Sequence, residues 1–557
     1  MMERKWTNCI STNGHLSGIN ANSSCFTLAR RVVMAGGGLY ILVAYGAQNV
    51  ILSGNPDFTY FYLVLKKYSH FSFESVTIPL EGPQELFFSQ PILLNAKIQR
   101  IGDLLTDLYF TFSLPDIYSK YFDSISPGPL QGRSQYEFKW ARYIGAQIIQ
   151  EASFLVGGTI VQQFDSDYII ASALTDQDET QFTKWKNMVG DVPELYDPAN
   201  GDFCGAAGGS STRTTGLYPN VYTDSSASIQ NNFPSIPGRD ITVPLSFWFT
   251  QHPSLALPLI SLQYHECYLQ LTLRPIQDLY TILDPSGYRV RPENSLRAST
   301  SQILSGNVGY VSNTEDGMYI RNYLTDSGFT APTLNAWPLN PRLQTTQIFL
   351  TDSERQTFAS KPLSYIVRQV TRYPFPSISS RQLFNLYTHN PVPRLLLIPR
   401  RSDTTRNRNG WTNYTNWLRY PTAPYIPPGT GNYLGGSSGT NAVGIQKDII
   451  RQIRILCDGN EIQEIKPLDF FTLMASWKYT EGIFPSGLAI YSFALDTSNW
   501  MKPSGSLNTS RVQNFQLDVD IWPLAQNTNF LIDHLVYVES LNFFVVEGGM
   551  GGMKYAT

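Results

Sequence analysis

Two stretches about 300 residues apart are written to the same plan. The first, Ala152 to Phe164, carries Gly157-Gly158 at its centre and leads to Asp167-Tyr168. The second, Ile453 to Ile465, carries Asp458-Gly459-Asn460 and leads to Asp469-Phe470. In each, a short apolar run meets a tight turn and then a second run. Gly157, Gly158, Asp458 and Gly459 are residues that tolerate the positive φ such a turn requires, so each stretch predicts a β-hairpin. A matched pair of hairpins at this separation predicts two copies of one all-β domain.

The strands around them agree. Cys267, Leu269, Leu271 and Leu273 alternate with polar residues near the end of the first half, and Phe515, Leu517, Val519 and Ile521 do so near the end of the second. Leu108, Phe110, Phe112 and Leu114 show the same period of two, which is the signature of strands with one buried face. At 557 residues the chain exceeds one ordinary core and accommodates two all-β domains of roughly 200 to 250 residues. Helix signals are few. Thr175 to Asp178 reads as a capping box before Phe182, Trp185 and Met188, with Gly190 as a stop, and Thr351 to Glu354 reads as a second.

Composition removes several function classes. A net charge of -3 argues against a surface that coats nucleic acid, so no direct nucleic-acid contact is expected. The five cysteines form no CxxC pair, and Cys267 and Cys457 fall on apolar strand faces, which predicts buried thiols in a reducing compartment. Val32 to Val43 is too short to cross about 30 Å of hydrocarbon, although an arm that touches a bilayer or a partner fits it.

No chemical site emerges. Gly435 to Gly439 matches a nucleophile elbow around Ser437, but it sits in a loop rich in Gly, Pro, Tyr and Asn rather than between a strand and a helix. The six histidines are scattered singly, which predicts strand-edge or loop positions and neither metal nor cofactor binding. Arg400, Arg401, Arg406 and Arg408, followed by Trp411, Tyr414 and Trp417, could stack on single-stranded nucleic acid. A solvated loop whose aromatics pack on a neighbouring subunit is the preferred reading. Of the glycosylation sequons, Asn413 is the one expected in a long outward loop. The residues alone therefore predict two similar antiparallel β-sandwiches and no catalytic residue.

From Met34 the chain reads Met-Ala-Gly-Gly-Gly-Leu-Tyr-Ile-Leu-Val-Ala-Tyr-Gly, then Gly54-Asn55-Pro56. Arg100 to Leu105, Gly157-Gly158, Phe247-Trp248-Phe249, Leu255 to Glu266, Phe349 to Arg355, Pro503 to Arg511 and Gly548 to Met553 follow in order. This series resembles the major capsid proteins of nucleocytoplasmic large DNA viruses, from Met34 to the C-terminus. The resemblance implies an all-β fold of two tandem antiparallel jelly-roll sandwiches with short helices in loop insertions. It also implies a structural subunit, a homotrimeric pseudo-hexagonal capsomer tiling an icosahedral shell around an internal membrane and a double-stranded DNA genome. A minor capsid or spike protein of the same fold is the alternative, and a glycan-binding or glycan-modifying jelly roll a more distant one.

The expected divisions are an arm over residues 1–49, with 1–33 mobile or held by a partner, a first roll over 50–275, a linker over 276–341, a second roll over 342–547 and a tail over 548–557. The excursions Asp116 to Lys139, Asp165 to Asp240 and Arg401 to Lys447 are expected to leave the sandwiches from one end as outer towers. By the same resemblance, the arm lies near minor capsid proteins and the internal viral membrane, and the protein is made and assembled in the host cytoplasm and resides in the virion capsid.

Overall fold

The computed structural model describes residues 37–62, 65–119, 137–200, 218, 222–223, 232–283, 289–292, 294–295, 311–312, 318–325, 332–417, 446–498, 502–524 and 530–555. The chain forms two compact units, Met1–Tyr68 and Ser69–Thr557. In the first, two short helices are described, α1 (Gly37–Val43) and α2 (Ala47–Ser53). Ile41, Leu42, Ile51 and Leu52 on them are each more than three quarters exposed. Among the described residues no helix is long and apolar enough to cross a membrane. Residues 1–33 lie outside the described residues.

The second unit is built from strands with a period of two. Its first eight principal strands are β1 (Phe71–Pro79), β2 (Ile92–Lys97), β3 (Leu104–Ser113), β4 (Ile149–Val156), β5 (Thr159–Asp165), β6 (Asp240–Pro244), β7 (Cys267–Leu273) and β8 (Arg342–Leu350). They pair in two antiparallel sheets with the orders β1-β8-β3-β6 and β2-β7-β4-β5. The next eight are β9 (Leu363–Ile378), β10 (Gln382–Leu386), β11 (Arg394–Arg401), β12 (Ile450–Cys457), β13 (Asn460–Pro467), β14 (Ala489–Ser492), β15 (Phe515–Ile521) and β16 (Ile532–Glu547). Their sheets run β9-β16-β11-β14 and β10-β15-β12-β13. Adding eight to every strand number converts the first arrangement into the second, so the chain builds one jelly roll twice.

Each roll closes on alternating side chains. Val156, Phe154 and Ala152 on β4 stand opposite Cys267, Leu269 and Leu271 on β7. Cys457 and Ile455 on β12 stand opposite Phe515 and Leu517 on β15. Burial pushes the Cys267 thiol up to about 12 and the Cys457 thiol up to about 11, so both stay protonated near neutral pH.

The two hairpins match in detail. Gly157 and Gly158 have φ of +59° and +84°, and Asp458 and Gly459 have +50° and +80°. The Gly157 N–H donates to the Glu266 carbonyl at 3.0 Å, and the Asp458 N–H donates to the Asn514 carbonyl at 2.9 Å. Both acceptors immediately precede the strand beside the hairpin, so each turn is pinned at the same place.

Several sequence-based boundaries move. β8, expected to open the second roll, lies between β1 and β3 of the first. Without it the ladder groups on the facing edges of those two strands would have no partners. The change-over therefore falls after Leu350. Much of the expected linker is also folded onto the first roll, where Tyr280–Leu283 pairs with Glu137–Trp140 and Ala336–Pro338 pairs with Glu85–Phe87. The expected tail turns back as Met550–Met553 and pairs with the end of β16.

The helices differ from expectation in one instructive respect. Thr175 does not cap a helix but lies within α3 (Ser166–Asp176), which starts where β5 ends. Asp165 caps it by accepting from the Tyr168 N–H at 3.0 Å. Ile169, Ile170, Ala171, Ala173 and Leu174 are buried, and so are Asp167, Ser172 and Thr175, so α3 has no exposed face and no helical period to read. The expected helix is α4 (Glu179–Met188), capped by Asp178, whose carboxylate accepts from the Gln181 N–H at 2.6 Å. Thr351 precedes α5 (Asp352–Ser360), as predicted, though its hydroxyl reaches the Glu354 carboxylate rather than a backbone N–H. After β13, at the place α3 occupies after β5, a π-helical stretch Phe470–Met474 runs into a short α-helix, Ala475–Tyr479.

Candidate functional site: the seam between the two rolls

In β11, Leu395 and Leu397 enter the core of the second roll while Arg394, Leu396, Ile398 and Arg400 face the other way. That outer face, shared with Tyr537 and Glu539 of β16 and with Arg368 and Arg372 of β9, is covered by α3 of the first roll. The result is a buried polar seam flanked by apolar packing.

The Arg400 guanidinium grips the Asp167 carboxylate with two bonds of 2.9 and 2.5 Å, and both side chains are almost wholly buried. Arg394 pairs with both oxygens of Asp176, one of them at 2.9 Å, and donates to the Thr175 hydroxyl at 3.3 Å. Its Nε lies 2.6 Å from Glu539, without the alignment of a hydrogen bond. Glu539 also accepts from the Tyr168 hydroxyl at 2.7 Å and from Arg368 at 3.4 Å. Asp165 accepts from the Tyr537 hydroxyl at 2.6 Å, and Arg372 lies 3.2 Å away. Side chains of the first roll thus complete charges of the second.

The electrostatics follow from burial. Burial alone would raise the Asp167 carboxyl, but the charge and hydrogen bonds of Arg400 hold it below its ordinary value. Burial raises Asp165, helped by the neighbouring Asp167 charge. Burial also lifts the Tyr168 and Tyr537 hydroxyls well above the usual phenol range, so both remain donors. Such a network holds one docking geometry strongly, because a shifted register leaves a buried charge without its partner.

The placement of the other expected residues is mixed. Arg400 and Arg401 do not belong to a solvated loop: Arg401 is 1% exposed and bonds both oxygens of Asp403 at 3.0 and 2.8 Å. A strand buried on both faces must bring its charges with partners, which is why they read as loop residues. Arg406 is exposed on α6 (Ser402–Arg408) and Arg408 is half-buried there. Trp411 and Tyr414 are used within the chain: the Trp411 indole donates to the Asp278 carbonyl at 3.0 Å with Arg274 over its ring, and Tyr414 is 2% exposed. The half-buried Asn413 donates through its amide nitrogen to the Trp417 carbonyl at 2.7 Å, and its oxygen accepts from Thr415. Ser437 lies outside the described residues.

One histidine departs from the edge-or-loop expectation. His534 on β16 is 1% exposed against Phe384, with no partner for either ring nitrogen among the described residues, and burial drops it to about 3. Among the described residues no three His, Cys, Asp or Glu side chains assemble as a metal site. A cleft of about 370 Å³ between the rolls is lined by Gln162, Gln163, Gln369, Tyr387, His389 and Ser540.

Sequence alone does not mark the seam's partners, because Asp167 and Tyr168 read only as landmarks of the repeat. The available signal was β11 itself, where leucines on one face and Arg394, Leu396, Ile398 and Arg400 on the other mark a strand covered on both sides.

Comparison with known proteins matches this architecture half by half. Residues 59–312 match the family described as the major capsid protein N-terminus, and residues 354–552 match the large eukaryotic DNA virus major capsid protein family. The chain is 25% identical over 552 residues to the major capsid protein of Paramecium bursaria Chlorella virus 1, covering 93% of this chain and 99% of that one. It is 24% identical to the major capsid protein of Phaeocystis pouchetii virus, with the same coverage of each chain. The solved Faustovirus major capsid protein superposes with a TM-score of 0.59 at 13% identity, over 92% of this chain and 96% of that one, which supports the fold. These relatives are structural proteins, not enzymes. With two jelly rolls of one topology joined by a buried seam, and with both halves matched in order, the chain belongs to the major capsid proteins of nucleocytoplasmic large DNA viruses.

Proposed function

We propose that this capsid protein works as a homotrimer, each subunit giving two similar lobes, so that three subunits make a six-lobed block that tiles an icosahedral shell. The observation that carries this reading is the identity of strand order in the two rolls, which makes one subunit a pair of near-equivalent building units. A ring of three such pairs is closed, and closed rings avoid the open-ended growth of an unmatched heterologous contact. The shell encloses an internal membrane and a double-stranded DNA genome, and the protein is made and assembled in the host cytoplasm. The exposed apolar residues of α1 and α2 support a role for the arm at that membrane or at minor capsid proteins.

Light scattering on the purified full chain is the first test. The expected mass is three times the 62.7 kDa of one chain, with six-lobed particles in electron micrographs. A stable single-chain mass at micromolar concentration refutes the trimer.

A further inference from the structure

The cleft between the rolls is a feature that the capsid reading does not use. It lies where two edge strands come together, β5 of the first roll and β9 of the second, and the loop after β10, Tyr387 to Asn390, forms part of its wall. Its volume of about 370 Å³ falls within the roughly 300 to 1,000 Å³ of small-molecule sites.

The lining is polar but carries no lysine, arginine, aspartate or glutamate. Gln163, Gln369, Thr371, Thr388, Asn390 and Ser540 supply amides and hydroxyls, groups that both donate and accept. An anionic ligand would find no cationic side chain there beyond His389, and a cationic one would find no carboxylate. The set suits a molecule dense in hydroxyls and without charge. Tyr387, 73% exposed, adds an aromatic face for the C–H side of such a molecule.

The backbone argues against an extended peptide as the occupant. β5 bulges at Val161, because Phe154 stands opposite Gln162 while Leu155 stands opposite Ile160. The Val161 carbonyl accepts from the Gln369 amide nitrogen at 3.2 Å, and the Gln369 oxygen accepts from the Asn542 amide at 2.9 Å. A bulged edge whose carbonyl is already taken offers no regular ladder for an added strand. The same two bonds hold the Gln369 amide in place, and each end of it keeps one further hydrogen-bonding position.

We propose that this cleft binds a neutral saccharide of one or two rings, with Tyr387 against the sugar's C–H face and the amides of Gln163, Gln369 and Asn390 on its hydroxyls. The Thr388 hydroxyl is buried without a partner among the described residues. One staggered step about χ1 turns it to the sugar, which supplies the partner that the chain lacks. The site lies within one chain, so it stands whether or not three chains assemble.

The test uses the purified full chain and saturation-transfer nuclear magnetic resonance. The probes are four neutral disaccharides (lactose, maltose, mannobiose and diacetylchitobiose), a sulfated heparin disaccharide, and a blocked five-residue peptide of valine and threonine. At least one neutral disaccharide is expected to bind with a millimolar Kd, and the sulfated sugar and the peptide are not. Thr388→Val and Tyr387→Ala should each weaken that binding about tenfold, as loss of one hydrogen bond or one stacked ring implies. Thr388→Val should leave the melting temperature unchanged, because its hydroxyl has no partner to lose, and Tyr387→Phe should retain most of the binding. No neutral disaccharide bound at millimolar concentration overturns the proposal, and so does equal binding of the sulfated sugar. Binding of the peptide alone makes the cleft a strand-docking edge instead. Saccharide binding that neither Thr388→Val nor Tyr387→Ala weakens places the sugar elsewhere and overturns the assignment of this cleft.

Discussion

Replacing Arg394 with leucine tests the seam most directly. The side chain is fully buried on β11, bonds both oxygens of Asp176 and lies 2.6 Å from Glu539. Leucine fits the apolar packing beside it, where Leu396 and Ile398 share the same face. What Arg394→Leu leaves behind is the difficulty, because Asp176 loses every arginine contact while remaining mostly buried. Breaking one side of a buried ion pair costs about 3 to 5 kcal/mol. For a roll of roughly 200 residues each kcal/mol lowers the melting temperature by about 2 to 4 °C, so the expected drop is about 6 to 20 °C by calorimetry. Adding Asp176→Leu removes the stranded charge, while Glu539 keeps Arg368 and the Tyr168 hydroxyl. That second change should restore about half of the loss or more. If the single variant melts with the parent, or the double melts lower still, then the seam is not an electrostatic joint and its packing alone holds the rolls together.

Three further outcomes follow from named side chains. His534 is neutral when folded and free to take a proton when unfolded, so its contribution is intact above pH 6.5 and falls as pH drops towards about 3. Urea titrations should show a loss of about 1.4 kcal/mol per pH unit below 6.5 that His534→Phe abolishes, and an unchanged pH profile in that variant would refute the assignment. Gly157→Val puts a side chain at φ +59° and its Cβ 2.7 Å from the His265 ring, whereas Gly158→Ala at φ +84° enters open space. The valine should therefore lower the melting temperature clearly more than the alanine, which bears only the backbone strain of about 1 kcal/mol; equal effects would mean that His265 yields freely. The thiols of Cys267 and Cys457 should resist a thiol reagent at pH 8 until denaturant is added, and rapid labelling of either in the native protein would show that its strand is not closed over it.

The sequence disclosed the parts of the fold that repeat a local rule. Gly157-Gly158 and Asp458-Gly459 announced their turns because positive φ restricts the choice of residue, and Leu269, Leu271 and Leu517, Val519 announced their strands because one face is buried. The long-range pairings were silent. Nothing local in Arg342 to Leu350 says that it slots between strands made some 230 to 280 residues earlier, so sequence alone sets the boundary between the rolls too early. α3 is hidden for the opposite reason: its apolar and polar residues alike are buried, and a helix without an exposed face shows no helical period. Arg394 and Arg400 were obscured because charge normally marks solvent, and only the opposing Asp167, Asp176 and Glu539 explain their burial.

The position of β8 also bears on how the chain is made. β1 pairs with β8 from Phe71 to Leu350, so the first roll lacks a central strand until about 280 more residues have been synthesised. At about 5 to 20 residues per second that interval is roughly 15 to 55 s. Throughout it β1 and β3 present open edges and Ile78 and Phe110 an incomplete core, a state prone to pairing with other nascent chains. On a polysome making many copies at once, the roll nearest the N-terminus is completed only at Leu350, well past the middle of the chain. A capsid protein of this design is therefore most vulnerable while still on the ribosome, and factors that shield β1 during that delay would raise the yield of assembly-competent subunits without altering the finished protein.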